Sequence, residues 1–597
     1  MSSPAELRCL PPDEASGWRR ARRYAVPRWM IERATERRLA GDWRGACAAA
    51  NVDVAFDLSE VAEHCGDDTA AALVADLRHL APDLLRWHLP RTLGGRTTLA
   101  TDRTVVLARY RPRTQGEGPR ATPYLHVTTG PMADGPQRIA LRFRTLRDEQ
   151  TAGVFGSTTD DWRLARHLWD ARHAAELRER CGGGPDRSPF RHADGTALGP
   201  DEFPTAGPGA DDPAARTERI MLTHRKDGSP AAFAEAGIRL DLTPPQKSGW
   251  YQADPERLLS GIPLNHGRLE PEIRRQQAAG AGNRFLIAAH WRTYILLELT
   301  DDAGLAVRAV DREDAEGLPF LAEALWRRLP DLDLLRDGEI AAEHLHPLVR
   351  EALFPALRVP ADQGGPPAPT APAPVRVRCR GAWHEVGFRP GGPLSMPHSD
   401  DEQQRERALR AFGGAVAGCF AVEQTWTSGK GRLPKALRAQ RGELFQRAQH
   451  GDTPGVLALL DAGMDPRVRD AGGRTLLHVL NLLDHETLLP RLLAGGADLE
   501  ARDRRERTPL FAAVNDLGSK ALVEALVAAG ARLDAIDESE LSLAQLVRRY
   551  KRSDLAFLRD RVEAEHPGIG ADWWDEHMDE RERYDSDEPD DEEEPAL

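Results

Sequence analysis

The sequence predicts a multidomain chain: an α+β N-terminal region followed by an all-α solenoid of stacked helix pairs. Three observations predict it. Through positions 1–358, β-rich patterns between Gly/Pro turns interleave with stretches of helical period. Two stretches dense in Gly and Pro punctuate the chain: Gly182–Pro213 holds thirteen of them, and Val359–Pro374 (VPADQGGPPAPTAPAP) holds six prolines and two glycines. From position 442 onward, a repeat period of about 33 residues sets in. With 597 residues, 41% of them hydrophobic and 29% charged, the chain has room for several packed cores.

The elements follow in order. Pro27 stands at the start of a helix over Arg28–Leu39, Gly41 and Asp42 break it, and Trp43–Ala50 forms a second. Helical residues recur around Thr69–Leu80. Strand patterns follow at Thr97–Arg109, Tyr124–Thr129 and Arg138–Phe143. Asp160–Arg180 reads as a helix, with Thr159 as N-cap, Gly182 behind its end, and a core-facing stripe of Trp162, Ala165, Leu168, Trp169 and Ala175. Gly182–Pro213 reads either as a linker closing an N-terminal region at position 181 or as a long loop inside one domain. Positions 216–358 form an α+β region: Arg284–Leu299 and Leu305–Val310 make a hairpin, with helices around Leu318–Arg328 and Ile340–Leu353. Val359–Pro374 is a polyproline-type spacer. A connecting segment, 375–441, opens with a strand pair over Val375–Phe388. Ser399 and Glu402 then form a capping box for a helix from Asp400 to Phe412.

The formal charge of −14 is unevenly placed. Asp575–Glu594 carries thirteen acidic and two basic residues, which leaves −3 for positions 1–574. Positions 563–597 therefore read as a disordered acidic tail, placed to screen the arginines at 502–507 or 19–44. Only six basic residues are lysines against 74 arginines, a bias typical of GC-rich bacterial coding. Met1–Leu10 lacks a signal peptide's pattern, and the longest uncharged stretch, Ala411–Val422, is too short to span a membrane. A cytoplasmic protein without membrane association is expected.

Catalytic constellations are hard to find. The six cysteines (Cys9, Cys47, Cys65, Cys181, Cys379 and Cys419) show no CxxC or Cys/His spacing, so they read as small buried hydrophobes and not as a zinc knuckle or disulfide framework. Thr427–Arg432 (TSGKGR) lacks the upstream glycine and following Ser/Thr of a phosphate loop. His384-Glu385 begins like a zinc-protease motif, but Phe388 stands where the second histidine belongs. His344 and His346, placed on a helix, diverge too far to share a metal. His398 with Asp400, Asp401 and Glu402 is the densest His/carboxylate group outside the tail, and the capping box accounts for its carboxylates. No catalytic residues, metal or cofactor are expected. Arg19–Arg44 carries nine arginines with Trp18, Tyr24, Trp29 and Trp43 close by, either a nucleic-acid surface or a solvated helical face.

The period carries the clearest signal. Sliding Asp470–Asp503 by one period puts Thr475 on Thr508, Leu477 on Leu510, His478 on Phe511 and Leu480 on Ala513. Gly463-Met464-Asp465 and Gly496-Ala497-Asp498 stand at that same spacing, and Gly530-Ala531-Arg532 follows with the register displaced by a single position. Each unit reads as a turn and two helices. Thr475 and Thr508 cap the first helix, Pro509 occupies its first position, and the second helix bears leucine stripes such as Leu488, Leu489, Leu492 and Leu493. Gly463, Gly496 and Gly530 end it in a left-handed conformation.

Positions 442–562 thus resemble the ankyrin repeat family. Asp470, Gly473, Thr475, Leu477 and His478 match its pattern in one copy, and Asp503, Thr508, Pro509, Leu510, Ala512 and Ala513 in the next. Departures are Leu476 for Pro, Glu506 for Gly, Phe511 for His and Asp484 for Gly. His478 reads as structural. Gly442–Asp470 is an N-terminal repeat with Glu443, Gln446 and Arg447 turned outward, and Ser539–Val562 is a degenerate C-terminal cap.

The resemblance implies an ankyrin-type solenoid that binds a protein partner and performs no chemistry itself. Its contact candidates are Ala471, Gly472, Arg474, Leu482 and Leu483 in one repeat, and Arg504, Arg505, Arg507, Asn515 and Asp516 in the next. The leading expectation is therefore a protein–protein interaction scaffold. The alternatives are an enzyme with its catalytic domain in positions 1–435, targeted by the repeats, and a nucleic-acid binder acting through Arg19–Arg44.

Overall fold

A computed structural model describes residues 8–110, 122–145, 159–204, 212–245, 254–290, 293–300, 304–360, 364–389, 394–414 and 416–587. The chain divides into two compact units, Met1–Ala133 with Gln137–Pro367, and Asp134–Pro136 with Ala368–Leu597. The boundary at Pro367 falls inside the proline-rich stretch.

The first unit builds one arrangement twice. Its first sheet holds β1 (Val52–Val54), β2 (Thr104–Arg109), β3 (Pro123–Thr129), β4 (Ile139–Thr145) and β5 (Thr159–Asp161), in the order β1-β4-β3-β2-β5. β2, β3 and β4 form an antiparallel meander, while β1 lies parallel to β4 and β5 parallel to β2. The second sheet holds β6 (Arg239–Asp241), β7 (Arg284–His290), β8 (Thr293–Thr300) and β9 (Gly304–Val310), in the order β6-β9-β8-β7. Again a meander carries a short strand parallel to its last member, and Phe320 bridges Leu286 of β7 in parallel, as β5 does for β2.

Helices precede both short strands, Arg28–Leu39 and Trp43–Ala49 in one copy, Pro213–Asp227 and Ser229–Ala236 in the other. More helices, such as Asp67–Leu77 and His266–Ala278, separate each short strand from its meander. A parallel neighbour needs such a helical crossover, whereas antiparallel neighbours need only a turn. One apolar cluster runs through both copies, including Leu125, Val127, Ile295 and Leu297. Gly182–Pro213 lies inside this unit, where Ser188 Oγ donates to the Leu353 carbonyl (2.8 Å).

Three helical expectations fail here: Leu318–Arg328 is helical only over Glu323–Trp326, with Phe320 bridged to β7, and the other two fail for identifiable reasons. Asp160–Arg180 is not one helix: β5 gives way to 3₁₀ turns at Arg166–Leu168 and Ala174–Glu176, and only Leu177–Arg180 is α-helical. Asp161 and Asp170 accept backbone bonds from Arg163 and Arg172, each at 3.0 Å, and such local side-chain bonds compete with a continuing helix. The Ile340–Leu353 helix likewise splits into a 3₁₀ turn, Ala342–His344, and Pro347–Leu353. Pro347 holds His346 extended before it. His346 Nε2 then meets Asp83 Oδ2 at 2.9 Å in the core.

The second unit opens with β10 (Val375–Cys379) and β11 (Ala382–Val386), an antiparallel hairpin turning through Arg380 and Gly381, both at positive φ. Helices Asp400–Ala411 and Gly418–Ser428 follow, and the capping box is formed: Ser399 N–H donates to Glu402 Oε2 (3.1 Å) and Glu402 N–H to Ser399 Oγ (3.3 Å). Four helix pairs then stack: Lys435–Gln449 with Thr453–Asp461, a 3₁₀ helix Leu476–Leu482 with His485–Ala494, Pro509–Asn515 with Lys520–Ala528, and Leu543–Arg549 with Ala556–Glu565. A single apolar cluster runs from Val377 to Val562, so the hairpin shares the solenoid's core. Arg447 does not face outward. It is buried between Asp452 (2.6 Å) and Glu443 (2.7 Å), and Asp452 also caps the next helix through Gly455 N–H (2.9 Å).

The stretch expected to be a disordered tail carries a helix, Asp572–Asp587. Its Asp575 and Asp579 pair with Arg548, at 3.1 and 2.7 Å.

Candidate functional site

Each repeat begins with an aspartate that organises its turn. Asp470 Oδ1 accepts from Gly472 and Arg474 N–H (2.7 and 2.9 Å), Asp503 Oδ1 from Arg505 and Arg507 N–H (2.8 and 3.0 Å), and Asp537 Oδ1 from Ser539 and Leu541 N–H (2.9 and 3.0 Å). The residue three positions on is left-handed each time: Gly473, Glu506 and Glu540 have φ of 80°, 60° and 62°. Successive turns are stitched together, Arg504 N–H to the Gly472 carbonyl and Glu538 N–H to the Arg505 carbonyl, both at 2.9 Å.

Behind each turn a hydroxyl caps the first helix. Thr508 Oγ accepts from Phe511 N–H (3.3 Å), and Ser542 Oγ accepts from Gln545 N–H (3.3 Å). In the Thr475 copy His478 completes the cap. Its Nδ1 accepts from Thr475 N–H (3.1 Å), leaving Nε2–H to donate to the Arg507 carbonyl (3.0 Å) of the next repeat. Burial pushes the His478 imidazole down to about 4, so it stays neutral in this structural role. Gly463, Gly496 and Gly530 are left-handed at the ends of the second helices.

The contact candidates separate by burial. Ala471, Arg504 and Arg505 are exposed; Gly472, Arg474, Leu482, Arg507 and Asn515 are half-buried; Leu483 and Asp516 are buried. Two of the arginines are engaged within their own turns, Arg474 Nε with Asp470 Oδ2 (2.8 Å) and Arg507 Nη2 with Asp503 Oδ2 (2.7 Å). Asn515 Oδ1 accepts from Tyr550 hydroxyl (3.3 Å). Arg505 lies 3.7 Å from Glu538 and Arg502 3.9 Å from Glu506, all four exposed, so the turn tips leave Arg504 as the most available cation, between two loosely paired ones.

A second cluster connects residues that local spacing did not. Cys379 ends β10, His384 lies on β11, His398 precedes the cap of Asp400–Ala411, and Cys419 opens Gly418–Ser428. The register pairs Val377 with His384 and Cys379 with Ala382, which puts Cys379 and His384 on one face of the hairpin. One ligand atom from each of the four residues lies within 4.8 Å of the others. Cys379 and Cys419 are buried, and burial followed by the neighbouring Cys379 pushes the Cys419 thiol up to about 12. The motif is C-x4-H-x13-H-x20-C, a spacing visible only if hairpin and helices are already folded together.

In the first unit, a cavity of about 70 Å³ is lined by Arg22, His88, Asp160, Trp162, His167 and Glu323, among others. His88 Nε2, His167 Nδ1 and Trp162 Nε1 are buried there without hydrogen-bond partners among the described residues. Burial raises the Asp160 carboxyl to about 6 and holds both imidazoles well below their usual range. The volume suits one or two waters and falls short of the roughly 300–1,000 Å³ of ordinary ligand pockets.

Arg19–Arg44 offers few free aromatics. Trp18 and Tyr24 are buried, and Trp29 and Trp43 pack half-buried on the core. Arg22 stacks on Trp87 (4.6 Å) and pairs with buried Asp331 (2.7 Å).

These turns, caps and left-handed glycines define an ankyrin-type solenoid. A family model described as ankyrin repeats, in three copies, matches residues 444–537, which are ankyrin repeats. The chain is 39% identical over 64 residues to an ankyrin repeat-containing protein of Schizosaccharomyces pombe, covering 11% of this chain and 31% of that protein. It is 29% identical over 149 residues to neurogenic locus notch homolog protein 1 of Mus musculus, covering 25% of this chain and 5% of the relative. The chain therefore spans only a small part of these relatives. No helix among the described residues is long and apolar enough to cross a membrane.

Proposed function

We propose that this protein is a protein–protein interaction scaffold whose partner docks on the turn tips and first helices of residues 442–562. Ankyrin repeats are in general protein-binding modules, and that likeness supports the reading. The observation that carries it is the charge of the tips. Arg502, Arg504 and Arg505 stand exposed in a row, whereas Arg474 and Arg507 are held by the turn aspartates. Such a row favours an acidic partner surface, with attraction that weakens as salt rises.

The test compares full-length wild type with Arg504→Glu/Arg505→Glu and with Leu39→Ser, a substitution at an exposed site far along the chain. The expected result is a captured partner lost from the arginine variant and kept by the control. Capture that survives Arg504→Glu/Arg505→Glu unchanged sinks the reading.

A second reading, a catalytic domain within residues 1–435 that the repeats target, rests on the buried titratable group of His88, Asp160 and His167 and not on their cavity, which holds only a water or two. Its test is Asp160→Asn in the full chain. Loss of a partner-dependent turnover without loss of fold favours it, and an unchanged turnover removes it.

A further inference from the structure

We propose that Cys379, His384, His398 and Cys419 are the four ligands of a structural zinc ion that fastens the β10–β11 hairpin to the helices preceding the ankyrin repeats. This inference is independent of what the repeats bind.

Distances carry it first. Zinc bonds of about 2.3 Å to sulfur and about 2.0–2.1 Å to nitrogen give a tetrahedron with edges of about 3.3 Å N–N, about 3.6 Å S–N and about 3.8 Å S–S. His384 Nδ1 and His398 Nε2 are 3.1 Å apart, Cys419 Sγ and His384 Nδ1 are 3.6 Å apart, and Cys379 Sγ and His398 Nε2 are 3.7 Å apart. Three of the six edges thus already match a zinc-sized tetrahedron, and the remaining pairs lie within 4.8 Å. Ordinary core packing has no reason to converge two thiols and two imidazole nitrogens from four separate positions on one point.

The surroundings agree. A histidine that binds metal through one nitrogen commonly presents the other to a carboxylate. His398 presents Nε2 to the cluster, and its Nδ1 lies 3.5 Å from Glu402 Oε2. Glu402 is itself fixed by the capping box, and Gln403 Nε2 donates to the His398 carbonyl (3.1 Å). One helix start therefore both terminates its own backbone donors and orients a ligand. The Phe420 ring, 4.6 Å from that of His398, shields one side.

Gly418 shows that the close approach is built in. A Cβ there would stand 2.5 Å from Cys379 Sγ and 2.9 Å from Cys379 Cα, so only glycine lets Cys419 reach Cys379 across the two elements. Gly418 also has φ of 60°.

The donor set chooses the metal and its role. Two sulfurs and two imidazoles suit a borderline-soft cation and exclude magnesium or calcium. Four protein ligands close the tetrahedron and leave no position for a substrate or water, which makes the ion structural. A two-stranded hairpin with strands this short is marginal by itself. Fastened here, Val377 and Val386 hold their places in the solenoid's core, and the hairpin and following helices serve as its N-terminal cap.

The test is metal analysis of the full-length chain, purified from zinc-supplemented growth and dialysed against metal-free buffer. The expected result is one zinc per chain. Replacement by cobalt should give the intense visible absorption of a four-coordinate ion with thiolate ligands. Cys379→Ser and Cys419→Ser should each lower zinc affinity about 100-fold or more, and Glu402→Gln about tenfold. Cys47→Ser, at a buried cysteine outside the cluster, serves as the control and should retain the zinc. Because a ligand variant can misfold, the wild-type chain is also stripped with chelator, and zinc should restore its thermal transition. Fewer than one zinc per ten wild-type chains, stoichiometric copper or iron in its place, a disulfide joining Cys379 to Cys419, or undiminished zinc in the Cys379→Ser/Cys419→Ser variant each overturns the proposal.

Discussion

Both units repeat themselves, but by different means. In the ankyrin segment the same chemistry returns at the same spacing: Asp470, Asp503 and Asp537 each close a turn, and Thr475, Thr508 and Ser542 each cap a helix. In the first unit only the topology returns. β2–β4 and β7–β9 share a meander and a parallel edge strand, while TVVLAR and RFLIAAH have in common only their apolar, β-forming character. A turn closed by a side chain needs that particular side chain, whereas a sheet needs β-formers with one face buried. Repetition by topology is therefore bound together by contacts distant in sequence, and repetition by motif by contacts between near neighbours.

The comparison predicts where damage spreads. In the first unit Arg22 binds Asp331 through two nitrogens at 2.7 and 2.9 Å, and Trp87 Nε1 donates to the same carboxylate (3.2 Å). Asp331→Ala leaves the buried guanidinium unpaired, at a cost of about 3–5 kcal/mol. Urea unfolding should show the whole first-unit transition move to lower denaturant with the repeat transition unmoved. A loss under about 1 kcal/mol would mean that the two copies do not depend on this pair.

The second prediction concerns pH and a single repeat interface. The His478 imidazole sits near 4 in the folded chain against 6.5 ordinarily, held down by burial. The unfolded chain therefore takes up the proton first as pH falls. The stabilisation is complete above about 6.5, declines between about 6.5 and 4, and amounts to about 3 kcal/mol at most. His478→Gln should flatten that decline in repeat stability measured from pH 7.5 to 4. An equally steep profile in the variant would place the titration elsewhere.

The same contrast explains what was legible in the sequence. The ankyrin turns were readable because Asp, Thr and Gly act on their close neighbours in the chain. Most strands of the first unit were readable from their apolar runs, but the parallel edges β1, β5 and β6 are too short to carry a pattern of their own. The apolar stripe of Asp160–Arg180 has a helical period, but Asp161 and Asp170 bind backbone N–H groups two residues on and interrupt it. Arg447 reads as a surface residue from its charge alone, and only the joint pairing with Glu443 and Asp452 lets it be buried. The Cys/His cluster escaped for the opposite reason to the turns: its members are spread from Cys379 to Cys419 and meet only through the hairpin register and Gly418.

A smaller effect tests the turn aspartates. Asp503→Ala removes the acceptor of two backbone N–H groups and the partner of Arg507, at about 1–3 kcal/mol. Hydrogen exchange should quicken in turn 503–508 and its stitched neighbour at 472 before it quickens elsewhere. Uniform quickening across the array would show that the turns are not separable units.

The smallest expected change is a gain. Glu506 occupies the left-handed position that glycine fills at Gly473, with φ of 60°, and its side chain is exposed with its nearest cation, Arg502, at 3.9 Å. A non-glycine residue there costs about 1–2 kcal/mol, and glycine returns about 0.5–1 kcal/mol of that as unfolded-chain entropy. Glu506→Gly should therefore stabilise the repeats by about 0.5–1 kcal/mol, and Glu540→Gly, at φ of 62°, by a similar amount. The two sites lie in successive turns joined by the Glu538 to Arg505 bond, so the double variant reads their coupling. Gains that sum mean each turn relaxes alone. A double variant that exceeds the sum means strain is shared along the stitched turns, and motif repetition then has a long-range component of its own.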